Sequence, residues 1–124
     1  MLSYFRTVIA EDASGGAYVP RMIVRAADRM AVGSIGCGPP DTSGASLFGY
    51  GVYQAFEGQG FASEAAKGLV DWALGLAGVR SVTATIPVGH TASEIVSTRA
   101  GLTNTGRQFE EEGMTLNIWE RTRD

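Results

Sequence analysis

Tyr50-Gly51-Val52-Tyr53-Gln54-Ala55-Phe56-Glu57-Gly58-Gln59-Gly60-Phe61-Ala62-Ser63-Glu64-Ala65 is the stretch on which the fold turns. Leu47 to Phe56 has a β-rich composition, with Phe48, Tyr50, Val52, Tyr53 and Phe56. Phe48, Tyr50 and Val52 share one face of such a strand, and Gly49 and Gly51 leave the other face bare. Glycines inside a strand signal a bulge or the close approach of a ligand or another backbone. From Ala62 the period changes. Ala62, Ala65, Ala66, Leu69, Val70, Ala73 and Leu76 recur at helical spacing, and Gly75 and Gly78 mark the end. Glu64 falls in the first turn, where a negative charge suits the helix dipole.

A strand therefore runs into a glycine-rich turn that opens a helix. The first turn of a helix leaves backbone N–H groups without intrahelical partners, and these suit a phosphate. Gly58 and Gly60 carry no Cβ, so a diphosphate can approach the main chain, and Ser63 offers a hydroxyl. The turn lacks the Gly-Lys-Ser/Thr of a Walker A loop and the spacing of the dinucleotide fingerprint. Its residues alone leave two readings open, an anion site or a tight turn that needs glycine for its geometry.

Upstream, Arg21 to Ala26 and Met30 to Ile35 are short apolar segments joined by Ala27-Asp28-Arg29, the pattern of an antiparallel hairpin. Residues 38 to 44 form a Gly- and Pro-rich loop. Tyr4 to Ile9 reads equally as a helix end or a strand, and Asp12 to Gly16 as a loop. Downstream, Ser81 to Ile86 alternates Val82, Ala84 and Ile86 with hydroxyl residues and stops at Pro87 and Gly89. Thr91-Ala92-Ser93-Glu94 matches a capping box, with Thr91 as cap and Glu94 reaching back. That helix carries Ile95, Val96 and Ala100 and ends at Gly101. Leu102 to Phe109 and Met114 to Glu120 form a terminal hairpin around an acidic turn. The expected order is β-β-β-α-β-α-β-β, an α+β fold with helices on a mixed, mostly antiparallel sheet.

The 124 residues suit one domain, 1–124, with an ordinary composition of 44% hydrophobic and 19% charged residues. Net charge is −3, and the ten basic residues are scattered, so no nucleic-acid footprint is visible. Glu110-Glu111-Glu112 reads as a solvated turn. The one cysteine, Cys37, excludes an internal disulfide, fits a reducing compartment and reads as a buried small residue. No apolar run reaches membrane-spanning length and no metal-ligand pattern stands out. A soluble, cytoplasmic, metal-free protein is the expectation.

Glu57-Gly58-Gln59-Gly60-Phe61-Ala62 resembles the acetyl-CoA loop of the Gcn5-related N-acetyltransferases, Gln/Arg-x-x-Gly-x-Gly/Ala. The wording around it, with Gly-Phe-Ala-Ser-Glu-Ala, is similar to the branch that acetylates ribosomal-protein N-termini. That branch carries Asn-x-x-Ser and then Gly-Phe; here stand His90-Thr91-Ala92-Ser93 and Gly101-Leu102. The resemblance spans about residues 20–121. It implies that acetyl-CoA lies between two splayed strands. The main chain of Val52, Tyr53 and Gln54 would hold the pantetheine arm, and amides of Gln59, Gly60, Phe61, Ala62 and Ser63, beside Gly58, the diphosphate. It implies direct acetyl transfer to a primary amine, a protein N-terminus or a small molecule. Ser93 is then the proton donor to the leaving thiolate. Glu57 and His90 are the candidate bases, and His90 is also a contact for the pantetheine.

Family members begin with a strand and two helices that wall the acceptor groove. About twenty residues precede the hairpin here, so the resemblance implies a reduced wall, supplied by a second subunit in a homodimer or left open. With Glu57, His90 and Leu102 departing from the pattern, the alternative is a non-catalytic CoA-binding, regulatory or assembly module of the same fold.

Overall fold

The structure is a computed structural model that describes residues 2–3, 7–9, 18 and 20–123. The loop expected over Asp12–Gly16 lies outside the described residues. The elements run β1 (Leu2–Ser3), β2 (Thr7–Ile9), β3 (Arg21–Arg25), β4 (Ala31–Cys37), β5 (Ala45–Val52), α1 (Phe61–Ala73), β6 (Ser81–Pro87), α2 (Thr91–Arg99), β7 (Thr103–Glu111) and β8 (Met114–Thr122). They build one eight-stranded sheet in the order β1-β2-β3-β4-β5-β6-β8-β7. Every neighbouring pair is antiparallel except β5 and β6, which flank the α1 crossover and run parallel. The expected α+β order stands, with β1 and β2 added at the start.

Three expectations need correction. The strand expected to run to Phe56 stops at Val52, and Gln54–Phe56 form a 3₁₀ turn. Phe56 N–H donates to the Tyr53 carbonyl at 2.8 Å, and this tight turn re-aims the chain toward α1. The acidic run is only partly a turn: Glu110 and Glu111 pair with Thr115 and Met114, and the reversal falls on Glu112-Gly113. Both of these residues have positive φ, 50° and 79°, as a two-residue hairpin turn demands. The third concerns the start of α2 and belongs with the site.

Alternation puts the core on one face of the sheet. Ile35, Phe48, Val82 and Ile86 face the helices, and Leu69 and Val70 of α1 meet them, all almost fully buried. Cys37 is buried among them. Arg121 of β8 and Arg123, just beyond its end, tie both helices to the sheet. Arg121 Nη1 donates to Asp71 Oδ1 in α1 at 2.6 Å and to the Ala100 carbonyl at the end of α2 at 3.0 Å. Arg123 donates to the Leu74 and Leu76 carbonyls beyond α1, at 2.7 and 2.8 Å. A cation at a helix C-terminus meets carbonyls that lack intrahelical partners and the negative end of the dipole.

β4 and β5 approach each other unusually closely at one point. The β3–β4 register slips between Ile23 and Val24, and this bulge places Val32 and Gly33 in succession inside the protein. A Cβ on Gly33 would lie 2.1 Å from the Gly51 carbonyl oxygen, where backbone has to move to admit it. Gly33→Ala is expected to cost about 1–3 kcal/mol as overpacking against rigid main chain. Gly49→Ala, whose Cβ meets nothing within 4 Å, is expected to stay within about 0.5 kcal/mol. Denaturant midpoints at constant m-value measure both, and equal midpoints would refute the close approach.

Partial burial pulls the Asp71 carboxyl up, but hydrogen bonds from Arg121 and Lys67 outweigh it and hold it below its ordinary 3.8. A depressed folded-state pKa contributes stability above the unfolded value and loses it as pH falls. The wild type is therefore expected to lose more melting temperature than Asp71→Asn between pH 6 and pH 3. Parallel acid profiles for the two proteins would show that the Asp71–Arg121 pair contributes nothing.

Candidate functional site

The site begins where the sheet comes apart. Only Ala45, Ser46 and Leu47 of β5 pair with β6, opposite Ser81, Val82 and Thr83. Beyond them β5 continues to Val52 and β6 to Pro87 with no pairing between the two, so two strand edges face a widening split. On its other side β5 pairs with β4 as far as Val52. Gly38 N–H donates to Leu47 O and Tyr53 N–H to Val32 O, each at 2.8 Å, so odd-numbered residues of β5 turn their main chain toward β4. By the alternation of an antiparallel ladder, Phe48, Tyr50 and Val52 turn theirs toward the split. Of the expected arm-binding residues, Val52 faces the opening. Tyr53 does not offer its main chain: its N–H is spent on Val32 and its carbonyl accepts from Phe56. Gln54 keeps its N–H, and its carbonyl accepts from Glu57 at 3.3 Å.

Beyond the split lies the turn into α1. Gly58 and Gly60 have φ of 74° and 82°, the left-handed region that side-chain-bearing residues avoid. Gly60 is the N-cap and brings no side chain to cap the helix. Among the described residues, the amides of Gly58, Gln59, Gly60, Ala62 and Ser63 donate to no protein acceptor. Gly58 is also open, with no atom within 4 Å of where a Cβ would stand. Phe61 is buried and anchors the helix start, while Gln59 stays exposed. Ser63 is buried in the first turn. The turn takes positive φ, as a tight glycine turn does, and it leaves donors uncapped at the positive end of a thirteen-residue helix, a geometry that suits an anion.

The other flank of the split carries α2, and here the expected capping box is corrected. His90, not Thr91, is the N-cap, and its Nδ1 accepts from Ser93 N–H at 3.4 Å. Thr91 turns its hydroxyl back to the Gly89 carbonyl, and Glu94 is bound through its backbone N–H to His90 O. A neutral imidazole that accepts at Nδ1 carries its proton on Nε2 and is a donor there. Capping orients the helix start so that Ser93 Oγ stands 3.4 Å from the Tyr50 hydroxyl of β5. That contact joins the two sides of the split and is long for an O–H···O bond, so it yields easily. Ser93, His90 and Tyr50 thus come together. Glu57 ends the 3₁₀ turn, exposed, with no described contact to any of the three. Tyr50 escaped sequence reasoning because a tyrosine beside Phe48 on a core face reads as packing; only its position on the split edge gives the hydroxyl a role.

Among the described residues, no group of three His, Cys, Asp or Glu side chains is placed to hold a metal ion, and no helix is long and apolar enough to cross a membrane.

The comparisons with known proteins agree with this geometry. No curated protein sequence matches significantly. Solved structures do. An acetyltransferase of the GNAT family from Bacillus anthracis superposes with a TM-score of 0.75 at 16% identity, over 84% of this chain and 66% of that one. The ribosomal-protein-S5-alanine acetyltransferase of Vibrio fischeri gives 0.76 at 14%, over 87% and 63%. The spermidine N-acetyltransferase of Vibrio cholerae, solved with CoA and spermine, gives 0.74 at 12%, over 87% and 67%. The chain thus spans roughly two thirds of the length of these structures, and at such identities they establish the fold. The sequence model of the acetyltransferase (GNAT) domain matches residues 2–103, most of the chain. With the split sheet and uncapped turn described above, that match settles the family: the chain belongs to the GNAT acetyltransferases.

Proposed function

We propose that this protein binds acetyl-CoA in the split between β5 and β6 and transfers the acetyl group directly to a primary amine. The observation that carries the reading is the junction of two features: an unpaired strand edge at Tyr50 and Val52, and a helix N-terminus with uncapped amides a few residues later. A pantetheine arm carries amide groups that pair with a strand edge as an added strand does. A diphosphate carries the negative charge that a helix N-terminus attracts.

In this reading, amides of Gly58, Gln59, Gly60, Ala62 and Ser63 hold the diphosphate. Phe61, the remaining residue of the expected set, positions the turn by its buried ring. Val52 and Gln54 hold the arm, which leaves the thioester at the mouth of the split beside Tyr50 and Ser93. The Val52 N–H polarises the thioester carbonyl. The acceptor arrives as an ammonium and must first lose a proton; Glu57, exposed at the end of the 3₁₀ turn, is the carboxylate assigned to take it through water. The nitrogen lone pair attacks the carbonyl carbon, the C–N bond forms, the C–S bond breaks, and the sulfur leaves as a thiolate. The Ser93–Tyr50 hydroxyl pair supplies the proton that the thiolate gains. A phenol is a far better acid than an alcohol, so Tyr50 is the donor and Ser93 relays or orients it. His90 fixes Ser93 through the cap and offers Nε2–H to the arm, a role its bonded Nδ1 suits better than that of base.

Acetyl-CoA at 100 times its Kd is expected to stabilise the protein by about 2.7 kcal/mol, read as a melting-temperature rise. Release of free CoA thiol with an amine panel then tests transfer. Stabilisation without thiol release would make the chain a binding module, and no stabilisation would overturn the reading altogether. Ser93→Ala and Tyr50→Phe are each expected to lower kcat by roughly 100-fold or more, in line with loss of a general acid, at an unchanged acetyl-CoA melting shift. Wild-type kcat in both variants would remove the hydroxyl pair from the mechanism.

A further inference from the structure

The sheet face opposite the helices carries a feature the acetyl-CoA reading does not use. Gly36 of β4 stands directly opposite Gly49 of β5, and Ser34 opposite Gly51. Their side chains point away from the buried face that holds Ile35, Cys37, Phe48 and Tyr50, because alternate residues of a strand point to opposite faces. Four adjacent positions on the open face thus carry nothing larger than a hydroxymethyl group. A Cβ on Gly49 or Gly51 would meet no atom within 4 Å, and neither glycine has positive φ, so backbone conformation does not call for glycine at these two positions. The bare pavement forms the floor of an open groove of about 510 Å³, walled by Tyr18, Pro20 and Leu47. Leu47 is 53% exposed and offers its apolar side chain to the groove. Among the described residues that line the groove, none is Asp, Glu, Lys, Arg or His. The groove runs along β5 up to Gly51 and Tyr50, beside the split.

We infer that this groove is the acceptor subsite, and that it takes a primary amine carried on a flat, uncharged, mainly apolar body, an arylalkylamine in chemical class. The inference rests on the acetyl-transfer reading for its catalytic meaning, but the groove's preference follows from its own walls. A planar ring lies flush on a surface of peptide planes only where no Cβ stands up from it, and Gly49 and Gly51 provide that surface. Tyr18, Pro20 and Leu47 bury the ring's edges, and apolar burial is worth about 25 cal/mol per Å². A volume of this size falls within the range of small-molecule sites. The described lining favours a single amino group over a polyamine. A polyamine's additional ammonium groups would meet no carboxylate among the described lining residues, and unpaired burial of charge is costly. With the ring on the pavement, the single amino group of an arylalkylamine reaches the β5 edge, where the thioester carbonyl is placed. Reaction there forms the C–N bond, breaks the C–S bond and leaves the proton accounting of the general reaction unchanged.

Saturation-transfer NMR on the full chain, without acetyl-CoA, tests the groove independently of catalysis. 2-Phenylethylamine is expected to receive saturation at its ring protons, and spermidine none. Gly49→Val and Gly51→Val, each checked for an unchanged melting temperature, raise a side chain from the pavement and are expected to reduce the ring signal at least 5-fold. If one of the variants fails to fold, the other carries the test. In thiol-release assays with saturating acetyl-CoA, kcat/KM for 2-phenylethylamine is expected to exceed that for spermidine and for an alanine-terminated peptide at least 10-fold. Equal or stronger binding of spermidine, no ring saturation, or undiminished binding by folded Gly49→Val and Gly51→Val would each overturn the inference. Failure of acetyl-CoA to stabilise the protein, with ring binding intact, would instead sink the acetyl-transfer reading and leave the groove's preference standing.

Discussion

Peptide groups at a strand edge need partners, and in this protein two parallel strands share only three paired residues before they part. The geometry of the candidate site follows from that shortage. A sheet with β5 and β6 zipped to their ends would have no gap, and the main chain at Tyr50 and Val52 would be spent within the protein. The separation is held open by the elements that follow each strand. β5 ends in a 3₁₀ turn that swings the chain toward α1. β6 ends at Pro87 and a positive-φ glycine, Gly89, that swing it toward α2. The helix starts therefore flank the open end, one presenting bare amides and the other presenting Ser93.

Holding two helices over a parted sheet requires anchorage away from the gap. β8 supplies it. It pairs with β6 along the whole of that strand, from Ser81 to Pro87, so β6 keeps a complete ladder on one side while its other edge is unpaired beyond Thr83. Arg121 and Arg123 then fasten the distal helix ends through carbonyls and Asp71. The rigid end of the molecule and the open end are thus separated along the strands, and the hydroxyl contact between Tyr50 and Ser93 is the light link across the opening.

Glycine serves three distinct purposes. At Gly33 a neighbouring backbone leaves no room for a side chain. At Gly58 and Gly60 the chain adopts positive φ and exposes its amides. At Gly49 and Gly51 neither reason applies, since space is free and φ is ordinary. The first two uses follow from packing and from the geometry of the turn. The third has no such reason within the chain and belongs with the proposed groove.

Much of this was legible in the residues. The change from period two to helical spacing between Val52 and Ala65 marked the strand–turn–helix unit, because alternation and the 3.6-residue turn leave different apolar patterns. The terminal hairpin, the buried cysteine and the glycine turn followed from local propensity. Local rules failed where a distant partner competed. Thr91-Ala92-Ser93-Glu94 satisfies a capping pattern, yet His90 caps because the turn after Pro87 brings its ring over the helix start. Tyr53 has strand propensity, yet its N–H goes to Val32 and its carbonyl to a 3₁₀ turn. Tyr50 looked like core because a strand's two faces can be read from the sequence, but its two edges cannot. Which edge lies bare depends on where β6 settles, some thirty residues later in the chain. Local periodicity thus wrote the elements and their buried faces, and the packing of sheet and helices decided which main-chain groups and hydroxyls were left over for chemistry.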